Sequence, residues 1–302
     1  MKSNLTASVV IATYNGEKYI VEQLDSLLNQ THQIEEVLIF DDRSTDDTVK
    51  IIQTYISKYK LENRWKLYVN ENNKGYARNF IEATDLASKD VIFFCDQDDI
   101  WKNNKVEIML TILEKNHDIN VLSSDLEIFY DGENALKWSD KEVNVMNNTG
   151  ELEKVVFNEK TFHCQRSGCV MCVRRIFLKA IRKYWKDQWA QDDFLWKFAV
   201  LSDCCAIYHY KAINRRMHDN NVTNIKVRTR SMRINQINQL EAYYIELLKI
   251  LKHMHTGNEK VKYDIINKNI RSLKLRYSAV AKHNIFSWIN LVLNYRDCYT
   301  WN

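Results

Sequence analysis

The sequence of 302 residues contains no proline, whereas average usage near 5% would give about fifteen. It is also rich in Asn, Lys and Ile, so the absence indicates a compositional bias and carries no functional interpretation. There is no run of about eighteen apolar residues, and the first residues, MKSNLT, do not lead into the apolar core of a signal peptide. These two absences predict a cytoplasmic chain without a membrane-spanning helix.

The seven cysteines also exclude some classes of protein. Their number is odd and they lie in apolar surroundings, which favours reduced thiols over a disulfide framework. Cys169 and Cys172 form a C-x-x-C pair, but no second pair stands at the spacing of a zinc finger. We therefore expect neither a zinc site nor a redox site there.

Charge is divided unevenly along the chain, behind a net value of +4. Residues 211–302 carry 17 Lys and Arg against 6 Asp and Glu, a balance of +11, and residues 1–210 carry a balance of −7. The acidic part can bind a metal, and the basic part suits an anionic surface. Nucleic acid is not an expected partner, because the basic residues are interleaved along amphipathic helices rather than clustered with stacking aromatic residues.

Apolar runs alternate with helical periodicity through the first hundred residues. Each run precedes a segment in which apolar residues recur at helical spacing, as in residues 17–29 and 48–59. This alternation predicts an α/β fold with a doubly wound, mostly parallel sheet, in which ligands bind beyond the carboxyl ends of the strands. The strand-like runs are Ser8–Ala12, Glu36–Phe40, Trp65–Val69 and Val91–Cys95.

Polar residues follow each of these four runs. The most pronounced case is VIFFCDQDDIW, in which a buried strand runs into Asp96, Asp98 and Asp99. Three carboxylates would repel one another unless a cation lay between them, and oxygen ligands of this kind suit Mg²⁺ or Mn²⁺. The alternative is a polar turn that caps the next helix. Four polar strand ends, two of them with adjacent aspartates, favour a ligand site at one edge of the sheet.

The rest of the chain adds three strand-like runs and then helices. Residues 131–161 are predicted to be a loop over or beside the site, and from residue 228 onward the periodicity is helical. The last apolar stripe, from Ile285 to Tyr295, is expected to pack in a core, with an interfacial role as the alternative. The three strand-like runs are Val121–Tyr130, Ser167–Val173 and Cys204–Tyr210.

Two groups of polar residues in this part are candidates for a site. Asp192 and Asp193 open an apolar helix, where only one of them can be the cap and the other faces solvent or a ligand. Arg215, Arg216 and His218 follow the last strand-like run of the core. An arginine pair is usually a solvated face and a lone histidine is usually structural, but their position keeps a phosphate-binding role open.

Four motifs, in this order, resemble those of the family 2 glycosyltransferases, which have the GT-A fold. The chain contains VVIATYNGEKYI, LIFDDRSTDDT, NKGYARN and FFCDQDDIW. The sequences CDQDDIW, RSGCVMCVRR and RMHDNNV are similar to those of bacterial rhamnosyltransferase-like members. The resemblance extends over about residues 7–225 and implies a GT-A domain in residues 1–225. Residues 226–302 would then form a basic helical region that contacts a membrane or the second subunit of a homodimer.

The resemblance implies a binding site for a nucleoside-diphosphate sugar across the strand ends. Asp42 would accept a hydrogen bond from a uracil or thymine ring, and Asp96 would hold the ribose. Asp98 would ligate a Mn²⁺ or Mg²⁺ ion that bridges the diphosphate, with His218 as a second candidate ligand. The other residues assigned to the nucleotide sugar are Thr13, Tyr14, Glu17, Asn70, Arg78 and Gln97, and those assigned to the diphosphate are Arg216, His218 and Asn221.

The general base of the family is a carboxylate at the start of a helix, and the sequence QDDFL resembles that segment. Alignment on its leucine falls on Asp192, with Asp193 as the alternative. The base would take the proton from the acceptor hydroxyl in a single displacement that inverts the anomeric configuration. Two positions depart from the family pattern. Ala12 stands where proline is common, and Asp219-Asn220 stand where glycine is common, which leaves the conformation of that loop open.

The expected function is transfer of a sugar, such as rhamnose from dTDP or a hexose from UDP, to a hydroxyl of a growing cell-surface polysaccharide or a lipid-linked oligosaccharide. Such an enzyme would be cytoplasmic or peripheral on the inner face of a bacterial plasma membrane. The alternative is a non-catalytic module that binds a nucleotide sugar or a glycan, which the intact Asp42, Asp96, Asp98 and Asp192 disfavour.

Overall fold

The structure is a computed structural model that describes residues 3–133, 135, 137, 146–187, 189–219, 221, 229–254, 256–295 and 298. Part of the predicted loop at 131–161 and Asn220 therefore lie outside the described residues. Contacts divide the chain into two units. The first contains residues 1–154, 165–199 and 204–221, and the second contains residues 155–164, 200–203 and 222–302.

The four strands predicted in the first hundred residues form the parallel half of a sheet in the first unit. They are β1 (Ala7–Thr13), β2 (Glu36–Asp41), β3 (Trp65–Val69) and β4 (Val91–Cys95), in the order β3-β2-β1-β4. All three neighbouring pairs are parallel. Helices cover both faces of a parallel sheet. The strand β4 is therefore buried on both faces, which explains why it is apolar throughout. The helices between and after them are α1 (Ile20–Leu28), α2 (Thr48–Lys58), α3 (Tyr76–Leu86) and α4 (Lys105–Lys115).

The second half of the sheet contains antiparallel pairs, so the sheet as a whole is mixed. It adds β5 (Ile100–Trp101), β6 (Val121–Tyr130), β7 (Leu152–Val155), β8 (Met171–Arg174) and β9 (Cys205–Met217). From β4 the order continues through β8, β6, β9 and β5. β8 is antiparallel to β4 and β6, whereas β6 and β9 are parallel. The predicted α/β class is confirmed. The helices in this stretch of the sequence are α5 (Glu159–His163), which belongs to the second unit, α6 (Arg175–Ile181) and α7 (Gln191–Leu201).

Two predicted strand boundaries in this half are wrong, and the predicted loop at 131–161 contains β7 and the start of α5. The run Ser167–Val173 is not strand from its start, because residues 168–170 form a 3₁₀ turn before β8. The run Cys204–Tyr210 is too short, because β9 continues to Met217 and pairs with β6 over its length. Arg215 and Arg216 are therefore strand residues, and successive side chains of a strand point to opposite faces.

The parallel register brings the predicted polar residues to one edge of the sheet. Thr13, the last residue of β1, stands opposite Asp41, the last residue of β2. Ile11 of β1 stands opposite Cys95, so the acidic cluster that follows β4 begins at the same edge. This is the edge where parallel α/β sheets bind ligands.

The second unit contains three long or medium helices near the end of the sequence, as the periodicity predicts. They are α8 (Arg230–Met254), α9 (Glu259–Lys282) and α10 (Ile285–Asn294). Within the described residues, no helix has both the length and the apolar character that crossing a membrane requires.

A buried lysine holds together several segments of the second unit. The Lys262 ammonium donates hydrogen bonds to the carbonyl oxygens of Leu201, at 2.8 Å, and Thr256, at 2.9 Å. Its third bond, of 2.7 Å, goes to Asp203 Oδ2. Each of the three ammonium protons thus has an acceptor. The Leu201 carbonyl is at the end of α7, where it lacks an intrahelical partner.

Replacing Lys262 by methionine is expected to lower the free energy of unfolding by roughly 2–3 kcal/mol. The expected loss is below the roughly 3–5 kcal/mol of a fully buried pair, because the Asp203 side chain is 34% exposed and water screens part of its charge. Denaturant titration of Lys262→Met would measure it, with the exposed Lys260→Met as the matched control. Equal stability of the two variants would contradict the assignment.

Candidate active site

The site begins where β1 and β2 end side by side. The Thr13 hydroxyl donates a hydrogen bond of 2.8 Å to Asp41 Oδ2. Asp41 also accepts hydrogen bonds from the amide and the hydroxyl of Ser44, at 2.7 and 2.6 Å. Asp41 is fully buried and fixes the turn after β2, so its role is structural. Thr13 reaches the edge of the sheet with its hydroxyl proton already engaged.

The loop after β1 is tied to the loops around it. Gln97 holds the Tyr14 backbone with two hydrogen bonds, from the Tyr14 amide to Oε1 at 2.9 Å and from Nε2 to the Tyr14 carbonyl at 3.0 Å. A Cβ on Gly16 would lie 2.3 Å from Gln97 Oε1, which explains the glycine there. Glu17 accepts a bond of 3.0 Å from the Asp47 amide at the start of α2. The backbone is thus fixed, while the Tyr14 side chain remains 47% exposed.

Asp42 lies in a cradle of hydrogen-bond donors. It accepts bonds from Asn70 Nδ2 at 2.9 Å and from the amides of Lys74 and Gly75, both at 2.8 Å. Gly75 has a φ of 81°, in the region that favours glycine. A carboxylate has about four acceptor positions, so one remains for a ligand. Asn70, which also donates to Asn79 at 2.9 Å, supports this carboxylate.

Arg78 lies to one side of this cradle. Its Nε donates to Glu82 at 2.8 Å, and its Nη1 lies 3.8 Å from Asp187. Arg78 and Asp187 face a cavity of about 220 Å³ that is open to solvent. The other residues that line it are Lys74, Gly75, Tyr76, Ala77, Trp189 and Ala190.

The acidic cluster after β4 is crowded. Burial and then the charge of Asp98 raise the pKa of Asp96 to about 6. Burial and then the charges of Asp98 and Asp96 raise the pKa of Asp99 to about 8. Asp99 Oδ1 accepts a bond of 3.1 Å from the Arg216 amide, whereas its buried Oδ2 has no hydrogen-bond partner among the described residues. Ionisation of all three side chains therefore requires additional positive charge nearby.

These carboxylates fit a hard divalent cation. Asp96, Asp99 and Cys169 each place one ligand atom within 4.8 Å of the others. Burial raises the pKa of Cys169 well above its ordinary value, so the sulfur remains a thiol and donates a hydrogen bond to Asp96. Oxygen atoms are then the ligands available, and they suit Mg²⁺ or Mn²⁺. The sequence analysis counted Asp99 among the carboxylates that a cation would bridge, whereas it gave Cys169 no role in the site.

The two predicted metal ligands face each other next to this cluster. His218 Nε2 lies 2.8 Å from Asp98 Oδ2, and the His218 ring packs on Tyr19 with centroids 4.8 Å apart. Asn221 Nδ2 donates to the same Asp98 oxygen at 3.4 Å. The structure thus brings Asp98, His218 and Asn221 together although more than a hundred residues separate the aspartate from the other two.

The Arg216 guanidinium pairs with carboxylates outside the acidic cluster, although its Nε donates a hydrogen bond of 3.0 Å to the backbone carbonyl of Asp98. The guanidinium pairs with Glu22 and with Asp131, the latter at 3.2 Å. It also lies between the rings of Tyr19 and Phe129, 4.6 Å from each centroid. The Arg216 side chain is buried among these partners, so its guanidinium does not pair with the carboxylates of the cluster after β4.

Arg215 is the arginine that faces the carboxylates. Its Nη1 donates to the Ser167 hydroxyl at 2.8 Å. Its positive charge lies close enough to Asp96 and Asp99 to offset part of their burial cost. The resemblance assigned the diphosphate contact to Arg216, which lies in the motif RMHDNNV. The two-residue period of an extended β9 would have separated the two arginines.

Asp192 and Asp193, both in the first turn of α7, have different partners. Asp193 pairs with the buried Lys197 one turn later, at 3.3 Å. Asp192 accepts hydrogen bonds from the Asp193 amide at 2.8 Å and from the Gly168 amide at 3.3 Å. Burial raises the pKa of Asp192, and those two amides offset only part of the effect.

Tyr76 lies near both Asp192 and the acidic cluster. Burial, followed by the charges of Asp192 and Asp96, raises the pKa of Tyr76. The phenol therefore lies within electrostatic reach of both carboxylates, and the same residue lines the cavity beside Arg78. Asp192, rather than Asp193, belongs to this group.

The sequence was compared with known proteins. The profile of Glycosyl transferase family 2 matches residues 8–217. An uncharacterized glycosyltransferase of Haemophilus influenzae is 26% identical over 292 residues, which cover 94% of this chain and 90% of that protein. The dTDP-rhamnosyl transferase RfbG of Shigella flexneri is 37% identical over 123 residues, which cover 40% of this chain and 42% of that protein.

Solved structures share the fold at low sequence identity. TarS 1-349 of S. aureus in complex with UDP-GlcNAc superposes with a TM-score of 0.66 and 19% identity, over 95% of this chain and 79% of that one. The mannosyltransferase PcManGT of Pyrobaculum calidifontis, in complex with GDP-Man and Mn²⁺, gives a TM-score of 0.57 at 15% identity, over 96% and 76%. Because the family profile spans more than half of the sequence, the chain belongs to the family 2 glycosyltransferases.

Proposed function

We propose that the protein transfers a sugar from a dTDP- or UDP-linked donor to a hydroxyl of a cell-surface glycan or lipid-linked oligosaccharide, with inversion at the anomeric carbon. The observation that carries the proposal is the grouping of Asp42, the Asp96–Asp99 cluster and Asp192 in one unit. Asp42 follows β2 and the cluster follows β4, the two strands that flank β1, and Asp192 comes within electrostatic reach of the cluster. A relative named as a dTDP-rhamnosyl transferase and a structural neighbour in complex with UDP-GlcNAc support this donor class.

Three features suit the nucleotide. Asp42 is held by three donors and keeps an acceptor position for the ring N–H of uracil or thymine. The exposed ring of Tyr14 offers a surface for the base. Asp96 lies at the end of β4, where it can accept hydrogen bonds from the ribose hydroxyls.

The diphosphate needs positive charge, because negative charge builds on it as the sugar leaves. A Mn²⁺ or Mg²⁺ ion held by Asp98, with Asp96, Asp99 and His218 as neighbouring donors, would supply Lewis-acid stabilisation. Arg215 adds a fixed cation beside the same carboxylates. We assign the diphosphate contact to Arg215 in place of Arg216, whose guanidinium is held by Glu22 and Asp131.

Asp192 is the proposed general base. The Gly168 and Asp193 amides orient its carboxylate. Ionised Asp192 takes the proton from the acceptor hydroxyl as that oxygen bonds to the anomeric carbon, and the bond from this carbon to the diphosphate breaks on the opposite face. Asp193 pairs with Lys197 one turn later on the same helix.

A panel of donors tests the proposal directly. The folded protein is incubated with Mn²⁺ and a set of UDP- and dTDP-sugars, and binding and slow donor hydrolysis are measured. At least one donor is expected to bind. Absence of binding across the panel would overturn the proposal, and binding without turnover on any acceptor would favour a non-catalytic binding module.

The two arginines of β9 can be told apart by matched variants. Arg215→Gln is expected to weaken donor binding about tenfold or more, which is the value of losing a hydrogen-bonded charge, and Arg215→Lys should recover part of it. Arg216→Gln should lower thermal stability with a smaller effect on donor affinity. Titration calorimetry with the nucleoside diphosphate and Mn²⁺ measures the affinity of both variants. A larger affinity loss in Arg216→Gln would reverse the assignment.

The raised pKa of Asp192 predicts the pH dependence of transfer. The base must be ionised, so activity is lost as pH falls through its raised pKa, and the acidic limb should lie above the ordinary aspartate value of about 3.9. The neighbouring charge of Asp193 contributes to the raised value, so Asp193→Asn should move the limb to lower pH. A pH–rate profile at saturating donor measures the limb. An unshifted limb in Asp193→Asn would contradict this account.

A further inference from the structure

Helix α10 exposes its apolar side chains and buries a polar one. Phe286 is 79% exposed and Leu293 is 72% exposed, and Ile285 and Ile289 are also exposed. These four positions share one side of the helix, since residues four and seven apart stack along it. Ser287 is buried on the other side. The apolar stripe that the sequence assigned to a core is therefore at the surface, which is a correction to that expectation.

Packing on α9, a left-handed residue and a capping side chain hold α10 in place. It packs on α9 through the side that carries Leu291, which is 1% exposed. His283 ends α9 in the left-handed region, with a φ of 52°, and Asn284 caps α10 by accepting a bond of 3.1 Å from the Ser287 amide. The turn and the cap fix which face of α10 lies against α9 and which face lies outward.

Five of the ten residues of α10 are large apolar side chains exposed at the surface: Ile285, Phe286, Trp288, Ile289 and Leu293. Large apolar patches on soluble proteins mark contacts with other molecules. At ten residues the helix is about 15 Å long, so it is too short to cross a bilayer and can only lie along a surface.

Charge decides between a lipid surface and a second copy of the chain. Residues 265–295 contain five Lys and Arg and no Asp or Glu, and two of the five, Lys268 and Lys274, pair with glutamates of other segments. Lys282, His283 and, on α9, Arg271 are exposed. Two such segments placed face to face would repel each other, whereas anionic headgroups would attract both. Trp288, which is partly exposed on the same helix, is a residue type enriched at membrane interfaces.

We propose that α10 is an interfacial helix that binds the surface of an anionic phospholipid bilayer. Phe286, Ile289 and Leu293 enter the boundary between headgroups and acyl chains, and Lys282 contacts the headgroups. Binding combines burial of apolar area with attraction to negative lipids, as for other amphipathic interfacial helices. It does not depend on the donor or on the identity of the transferred sugar.

Vesicle flotation of the full chain tests the proposal. The wild type is expected to float with vesicles of phosphatidylcholine and phosphatidylglycerol, and less with phosphatidylcholine alone. Phe286→Asp combined with Leu293→Asp should lower partitioning about tenfold or more, the expected loss from two large apolar side chains. The matched control is Ile176→Asp, which changes an apolar residue 78% exposed on α6 and should float like the wild type. Lys282→Glu should weaken binding to anionic vesicles only.

The outcomes are distinct. Flotation of the double variant at the wild-type level, or failure of the wild type to float with either vesicle, would overturn the proposal. A wild-type dimer that the double variant converts to a monomer in light scattering would also overturn it, in favour of a second copy of the chain. Thermal unfolding and nucleotide binding of each variant are measured in parallel. Loss of flotation with normal nucleotide binding supports the proposal, whereas failure of nucleotide binding in the wild type bears on the catalytic proposal alone.

Discussion

Asp192→Asn is expected to lower the rate of sugar transfer by about 10²–10⁴-fold, the usual contribution of a general base. Asparagine keeps the size of the side chain and can still accept a hydrogen bond from the Gly168 amide, but it cannot take the proton of the acceptor hydroxyl. Donor affinity should change little, because the nucleotide contacts are assigned to Asp42 and the cluster after β4. Initial rates of transfer and calorimetric binding of the nucleoside diphosphate separate the two effects.

Asp193→Asn is the matched control for this prediction. Asp193 shares the first turn of α7 but is paired with Lys197, at 3.3 Å. Its replacement removes the ion pair between Asp193 and the buried Lys197, so we expect a loss of thermal stability with transfer largely retained. A greater loss of transfer in Asp193→Asn than in Asp192→Asn would assign the base to Asp193.

Asp98→Asn is expected to abolish the stabilisation that metal and nucleotide give the wild type. A ligand that binds only the folded state at a hundred times its dissociation constant contributes about 2.7 kcal/mol. The wild type should therefore unfold at higher temperature when Mn²⁺ and UDP or dTDP are added, and the variant should not. Differential scanning calorimetry with and without Mn²⁺ measures the difference.

Without metal, the same substitution should raise the unfolding temperature or leave it unchanged. Asp98 contributes to the raised pKa of Asp96 and of Asp99, so removing its charge relieves repulsion within the cluster. The asparagine oxygen can still accept a hydrogen bond from His218. Asp118→Asn, which changes an exposed aspartate of the same unit, is the control and should respond to Mn²⁺ like the wild type. A metal response retained in Asp98→Asn would remove this residue from the metal site.

The strand ends illustrate what could be predicted from sequence. Val91–Cys95 forms β4 with the predicted bounds, and the acidic cluster follows it as expected. The runs before Thr13 and Asp42 also form adjacent parallel strands. These predictions depend on local periodicity and on the rule that parallel strands end at one edge, and both are properties of short segments.

The end of β9 illustrates what failed and why. The sequence pattern ended the strand at Tyr210 because polar residues follow, but pairing with β6 extends it to Met217. Tertiary pairing overrode the local composition, and the alternation of a strand then sent Arg215 and Arg216 to opposite faces. By contrast, the pairing of Asp193 with Lys197 follows from their spacing in the sequence, since residues four apart meet on a helix.

The stripe of α10 fails for a different reason. Its periodicity is correct and the helix forms, from Ile285 to Asn294. Periodicity states that apolar residues share a side of a helix but does not state whether that side faces a neighbour. The αL residue His283 and the packing against α9 decide which face is covered.

The sequence by itself determined the alternation of strands and helices, the edge where the polar residues gather and the identity of the carboxylates at that edge. These follow from periodicities of two and 3.6 residues and from the chemistry of each side chain. The tertiary structure decided which groups are already engaged and which face a ligand. It paired Arg216 with Glu22 and Asp131, set His218 against Asp98 and held Asp192 on the Gly168 amide. Such pairings join residues that are distant in the chain, so no local pattern encodes them.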